Sequence, residues 1–481
     1  MAARFDLVVR DATVATAADT MRCDIGIRGG RIAALGEDLA GGAEEVRAGG
    51  ALVTPGGVDG HCHFEQELPD GAQLADDFLS GTRSAACGGT TTIIPFACQF
   101  KGQSMRAAVA DYHRRAEGKP VVDYAFHLIV SDPNPQVLGQ ELPALIRDGY
   151  TSFKIYMTYD ILKLADREIL DVLALARRER AMTMIHAENS DVITWLTEKL
   201  ELAGRTAPKY HAASRPQPVE REATHRAIAF SELLDVPILV VHVSSRDATE
   251  QIRWAQSRGL RIYAETCPQY LLLTESDLDR PGGEGAKCVC SPPPRTPADQ
   301  AAIWEGLANG TFTIVSSDHS PFSYAGPKGK FLHGPNPPFA KIPNGVPGVE
   351  TRLPLLFSEG VGKGRITLQQ FVALTATNPA RLYGLYPRKG TIAIGADADL
   401  VLWDTEREVT IANAMLHHAA DYTPYEGLRV RGWPTLVLSR GETVMRNGEP
   451  LGAPGRGRYL RCDPPAAAAP RGRPVVDPAL F

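Results

Sequence analysis

Eight short apolar segments recur along the middle of the chain, and this repetition constrains the fold more than any other feature. They are VTPGGVDGHCH (53–63), TTTIIPFA (90–97), DYAFHLIV (123–130), TSFKIYM (151–157), MTMIHAE (182–188), VPILVVHVS (236–244), LRIYAETC (260–267) and FTIVSSDH (312–319). Each is rich in β-branched residues without strict alternation, the pattern of strands buried on both faces. Between them lie stretches with helical spacing. ADDFLSGTRSAACGG closes on a glycine pair, and DREILDVLALARRERA repeats Leu and Ala every three or four positions. Strand and helix alternate at about 37 residues per unit, which predicts a (β/α)8 TIM-like barrel of the α/β class. An open doubly wound sheet usually carries fewer strands.

Both flanks read differently. FDLVVRDATVAT and DIGIRGGRIAALG near the start, and GTIAIGADADLVLWD and PTLVLSRGETVMRNGEP after the barrel, are short strands with glycine turns. The expected division is residues 1–54 and 390–455 as the two parts of one small β-sandwich built from both chain ends. Residues 55–389 form the catalytic barrel in this division. Residues 456–481, containing PPAAAAPRGRP, are expected to be a flexible tail or an oligomer arm.

Composition excludes several classes. With 51 Lys and Arg against 56 Asp and Glu, scattered rather than striped, no nucleic-acid footprint exists. No apolar run approaches the ~18 residues of a membrane span. The opening MAARFDLVVRDATV has no signal-peptide pattern, and the eight cysteines are dispersed without a CxxC, so a reduced, cytoplasmic chain is expected. GVGKG (360–364) follows no strand, and no GxSxG elbow occurs, which removes nucleotide-loop and serine-hydrolase readings.

Chemistry in a parallel barrel sits at the C-terminal strand ends. Strand one ends His61-Cys62-His63, whose imidazoles share one side because positions i and i+2 do. Lys154 interrupts strand four, His186 ends strand five, His242 ends strand six, and Asp318 ends strand eight. Taken singly, each has a plain reading: a hydrogen-bonded core histidine, or an aspartate capping the next helix. Their coincidence at the ends of different strands points instead to a metal centre. Imidazole and carboxylate ligands suit Zn²⁺, and Mn²⁺ is also compatible.

Lys154 is the oddest member, an ammonium set among Phe153, Ile155 and Met157. A snorkelling or acid-paired lysine is the ordinary explanation. Burial, however, favours the neutral amine, which can react with carbon dioxide to give a carbamate. That group is a carboxylate on a long stem, able to offer one oxygen to each of two ions.

The ordered set resembles the amidohydrolase superfamily, and more closely its dihydropyrimidinase/hydantoinase family. The likeness runs from about Asp6 to Gly448 and includes PGGVDGHCH, GYTSFKIYMTY, IHAEN, CSPPPR, SSDHSPF, IPNGVPGVETRLPLL and GTIAIGADADLVLWD. The resemblance implies two divalent ions, usually zinc. His61, His63 and Asp318 hold one ion and His186 and His242 the other, with carboxylated Lys154 and a hydroxide as bridges. It further implies that Tyr159 hydrogen-bonds the substrate carbonyl, that Ser291 and Asn344 meet the ring amide through their backbones, and that Asp318 shuttles the proton. The implied reaction opens dihydrouracil, dihydrothymine or hydantoin rings to N-carbamoyl amino acids, in a homotetramer. Allantoinase and dihydroorotase chemistry would use the same centre. A dihydroorotase, however, should offer basic groups after the first strand. The non-catalytic collapsin response mediator proteins resemble this fold but lack the ligands that this chain keeps.

After the HxH pair the chain reads Phe64-Glu65-Gln66-Glu67-Leu68. Two acids here give the expectation of a polar cavity mouth, suited to small rings such as dihydrouracil.

Overall fold

The structure is a computed structural model that describes residues 5–472 and 474–477. Its strands, in chain order, begin with β1 (Phe5–Ala15), β2 (Thr20–Arg28), β3 (Arg31–Gly36), β4 (Gly42–Arg47) and β5 (Leu52–Pro55). The second set is β6 (Gly57–Cys62), β7 (Thr90–Cys98), β8 (Asp123–Tyr124), β9 (His127–Ile129), β10 (Ser152–Tyr156), β11 (Met182–His186), β12 (Ile238–Val240), β13 (Ile262–Thr266) and β14 (Ile314–Val315). The last four are β15 (Leu400–Thr410), β16 (Arg429–Ser439), β17 (Glu442–Arg446) and β18 (Glu449–Pro450).

The second set forms one parallel sheet in the order β14-β13-β12-β11-β10-β9-β7-β6, with β8 beside β7. At the C-terminal ends the two edges meet. Cys62 bridges His319 in parallel register, and the His63 N–H donates to the His319 carbonyl at 2.7 Å. This is the TIM-like barrel expected from the strand repeat. Its strands follow one another in sequence order, as right-handed crossovers through the intervening helices require. Residues such as Phe153, Ile155, Ile185 and Val240 are buried because both faces of the sheet are covered.

The two chain ends join in one nine-stranded mixed sheet, in the order β18-β17-β16-β15-β5-β1-β2-β3 with β4 beside β1. The joint is antiparallel, Leu402 opposite Val53 and Leu400 opposite Pro55. The sheet has its own apolar cluster, including Val9, Val14, Ile25, Val53, Leu400 and Leu438. A buried ion network fastens it to the barrel. Lys389 Nζ donates to Asp123 Oδ2 at 2.7 Å and Asp399 Oδ2 at 2.8 Å, and lies 3.1 Å from Asp397 Oδ2. Three acids around one ammonium hold the Lys389 pKa well above its usual value despite burial.

Of the segment 456–481, read above as a flexible tail or an oligomer arm, residues 456–462 lie along their own barrel, and residues 473 and 478–481 lie outside the described residues. The Leu460 N–H donates to the Tyr124 carbonyl at 2.7 Å, and the Cys462 N–H to the Gly149 carbonyl at 3.0 Å. The Tyr459 ring sits 4.6 Å from His113. Leu460 and Cys462 join a buried apolar cluster there, and in the proline- and alanine-rich stretch after them Ala468 is buried in the same cluster. Among the described residues no helix is long and apolar enough to cross a membrane.

Candidate metal centre

Every residue named above as a metal ligand or substrate contact lines one cavity of about 290 Å³ above the C-terminal strand ends. His61 reaches it from β6, Lys154 from β10 and His186 from β11, while His63, His242 and Asp318 stand just beyond their strands. His61 Nε2 lies 3.2 Å and His63 Nε2 3.6 Å from Asp318 Oδ1, and Lys154 Nζ lies 3.0 Å from His61 Nε2. The His242 ring is 5.4 Å from that of His61 and 4.3 Å from that of His186. All are buried.

Three observations fit this donor set to divalent ions. His61, His63 and Asp318 bring their ligand atoms within 4.8 Å of one another. Burial, foremost among several influences, pushes His61, His186 and His242 below the usual histidine range, so these imidazoles keep a free lone pair. His242 Nδ1 is a buried polar atom with no hydrogen-bond partner, an expense that a ligand role explains. Asp318 stays a carboxylate: burial opposes this, but His61 and His63 hold its pKa below the usual range. Burial also pushes Lys154 down to about 8, against the pull of Asp318 and Glu265.

The backbone is strained at the same place. Tyr159, His242 and Asp318 have φ of 69°, 41° and 46°, left-handed values that side chains adopt at a cost of about 1–3 kcal/mol. The strain re-aims these residues from the strand direction into the cavity. The Tyr159 hydroxyl is pushed up to about 12 by burial, so it remains a donor across the neutral range. Ser291 and Asn344 face it from two loops. Ser291 Oγ is 3.3 Å from His211 Nε2, and Asn344 Oδ1 is buried without a partner. Next to Asn344, Gly345 has φ of +144°, and a Cβ there would lie 2.4 Å from the Ser320 carbonyl oxygen. The IPNG turn therefore packs backbone against backbone, which only glycine permits.

Two carboxylates that the sequence reading passed over hold the ligands. Glu265, on β13, places Oε1 2.6 Å from His61 Nδ1 and 3.1 Å from the His242 N–H. Burial pushes this carboxyl up to about 8, while Lys154 lowers it. Glu188 Oε2 lies 2.7 Å from His186 Nε2 and accepts from Arg215 at 2.7 Å. With Nε2 so engaged, Nδ1 is the His186 nitrogen left to ligate. Both acids had a signal: Glu188 stands two residues after His186, and Glu265 interrupts an apolar strand as Lys154 does.

Comparison with known proteins agrees with this geometry. Residues 52–444 match the amidohydrolase family. The chain is 46% identical over 457 residues to a D-hydantoinase from Geobacillus stearothermophilus, covering 94% of this chain and 96% of that one. The D-hydantoinase of Ralstonia pickettii is 44% identical, with 95% and 98% covered. A crystal structure of dihydropyrimidinase from Brevibacillus agri NCHU1002 superposes with a TM-score of 0.93 at 44% identity, covering 95% of this chain and 99% of that one. The chain belongs to the D-hydantoinase/dihydropyrimidinase family of amidohydrolases.

Within that family frame, the mouth of the cavity departs from the sequence expectation. Neither Glu65 nor Glu67 lines it. Glu65 turns away to pair with Lys119 and to accept from the Phe78 N–H at 3.2 Å. Glu67 is exposed, 3.8 Å from Lys328. The wall combines apolar Leu68, Leu74, Ile161, Leu162, Phe322 and Ile342 with polar Gln66, Asp70 and Lys341. Leu74 and Phe322 pack with Ala72 in a small buried apolar cluster beside the cavity. The two acids expected at the mouth are not there: Glu65, with φ of 50°, and Glu67 reach lysines outside the cavity, and the exposed charges that line it are Asp70 and Lys341.

Proposed function

We propose that this chain hydrolyses a ring amide of cyclic ureides, giving N-carbamoyl amino acids. Hydantoins with apolar exocyclic substituents are the best-fitting substrates, and dihydropyrimidines are smaller rings for the same cavity. One observation carries this reading: the full ligand set converges in one cavity whose wall includes Leu68, Leu74, Ile161, Leu162, Phe322 and Ile342. That the chain is 44% identical to a D-hydantoinase over nearly its whole length supports it.

His61, His63 and Asp318 would hold one divalent ion, His186 and His242 a second, and Lys154, carboxylated by carbon dioxide, would touch both. Bound ions, zinc foremost, supply hydroxide at neutral pH and polarise the scissile carbonyl. The Tyr159 hydroxyl donates to the carbonyl oxygen as negative charge builds there. Asp318, held as a carboxylate by two imidazoles, accepts the proton of the attacking oxygen and returns it to the leaving ring nitrogen. The backbones of Ser291 and Asn344 read the ring amide, and the apolar side chains of the wall, Leu74 and Phe322 among them, take the substituent.

A homo-oligomer, with a tetramer as the expected state, is supported by the helix Ser190–Leu202, which leaves Val192, Trp195 and Leu202 exposed. The experiment for the reaction is to strip metal with a chelator, restore zinc, and follow ring opening of 5-phenylhydantoin. Activity should vanish and return with the metal. Full activity in the stripped protein would defeat the reading.

A further inference from the structure

Lys330 is fully buried in the long loop between Asp318 and Asn344, yet among the described residues it forms no salt bridge. Its Nζ donates to three backbone carbonyls: Val289 at 2.9 Å, Pro343 at 2.7 Å and Gly345 at 2.7 Å. An ammonium has three N–H groups, so donors and acceptors match one to one. Burial pushes the amine down to about 7, and three acceptors around one nitrogen favour the three-hydrogen form.

The three carbonyls flank the two loop residues that face the ring. Pro343 and Gly345 lie on either side of Asn344, and Val289 is two residues before Ser291. The Gly345 N–H also donates to the Val289 carbonyl at 3.0 Å, so the two loops are tied at one point. In a trans peptide the C=O and the following N–H point in opposite directions. Drawing the Pro343 carbonyl onto Lys330 therefore turns the Asn344 N–H away from the lysine. No other hydrogen bond among the described residues uses that N–H.

From this geometry we propose that Lys330 is the positioning residue that aims the backbone of Ser291 and Asn344 at the substrate ring. The proposal rests on the ring-opening function above and adds a residue that touches neither metal ligand nor substrate. Without the ammonium, three carbonyls lose their donor, and nothing fixes the orientation of the Pro343–Asn344 peptide. Ring binding then suffers, while metal binding and proton transfer by Asp318 do not.

The test compares zinc-loaded wild type, Lys330→Met and Lys330→Gln with 5-phenylhydantoin as substrate, alongside metal content. The expected result is a KM raised by about tenfold or more in both variants. kcat should change by less than about threefold, with metal content unchanged. If Met does not give folded protein, Gln, with two N–H donors, carries the test. Unchanged KM in variants of an active wild type overturns the role of Lys330 alone. So does failure of both variants to fold, which would make the lysine a stabilising group. An inactive, metal-loaded wild type overturns the ring-opening reading itself, and this inference with it.

Discussion

Glu265 Oε1 on β13 lies 2.6 Å from His61 Nδ1 on β6, a contact that crosses the barrel between two strands that are not neighbours. It fixes which His61 nitrogen faces the cavity: the Glu265 carboxyl occupies Nδ1 and leaves Nε2 turned toward Asp318 and Lys154, free to ligate. The same logic joins Glu188 to His186. These two histidines are each held from behind by a buried acid, while His63 Nδ1 meets the Gln66 side-chain oxygen at 2.9 Å.

Glu265→Gln should lower metal affinity by about 10–100-fold while the fold stays intact. Competition with a zinc-binding dye, read beside the circular dichroism spectrum, checks this. Unchanged affinity would mean that the contact does not set the His61 tautomer.

Lys154→Ala should bind fewer than two ions per chain and open no rings. Short carboxylic acids added to the assay should restore part of the activity, by standing in for the missing carbamate. Metal analysis and kinetics with and without propionate make the check. Full activity without an added acid would refute the carboxylated lysine.

Phe322→Ala should lower kcat/KM for 5-phenylhydantoin by about tenfold to a hundredfold, since an apolar pocket contact is worth about 1–3 kcal/mol. Unsubstituted hydantoin, which does not reach the mouth, should be affected far less. Equal losses on both substrates would show that Phe322 does not contact the substituent.

Glu188 gives a pH prediction. Burial alone would raise its carboxyl, but Arg215 and His186 pull it down from 4.5 to about 2. A depressed carboxylate contributes stability that is present above about pH 4.5 and is lost as pH falls through about 2. Its full size is on the order of 3 kcal/mol. The urea midpoint of metal-free wild type should therefore fall more steeply between about pH 5 and pH 3 than that of Glu188→Gln. Parallel curves would contradict the shift.

Much of the centre was legible in the sequence because strand ends in a parallel barrel converge by topology. His61, His63, Lys154, His186, His242 and Asp318 needed only their order and their oddness among apolar neighbours. The eight strand signals led to the barrel for the same reason. What was not legible depends on direction rather than identity. Glu65 and Glu67 sit two and four residues after His63, yet a left-handed φ at Glu65 and lysines remote in sequence turn them from the cavity. The strained backbone at Tyr159, His242 and Asp318 carries no local sequence mark. Lys330 reads as one more loop lysine until the fold brings three carbonyls around it. Residues 457–472 look too poor for a core, and the fold alone brings Leu460 and Cys462 to Tyr124 and Gly149 and buries Ala468.

The most direct test of the whole account is ring opening by the zinc-loaded protein, with 5-phenylhydantoin and dihydrouracil measured in the same assay. The account predicts that both rings open to N-carbamoyl products, with the phenyl-substituted ring preferred because Leu68, Leu74 and Phe322 line the mouth. Preference for dihydrouracil would contradict the assignment of the mouth. Failure to open either ring, with two ions bound per chain, would contradict the cyclic-amide function itself.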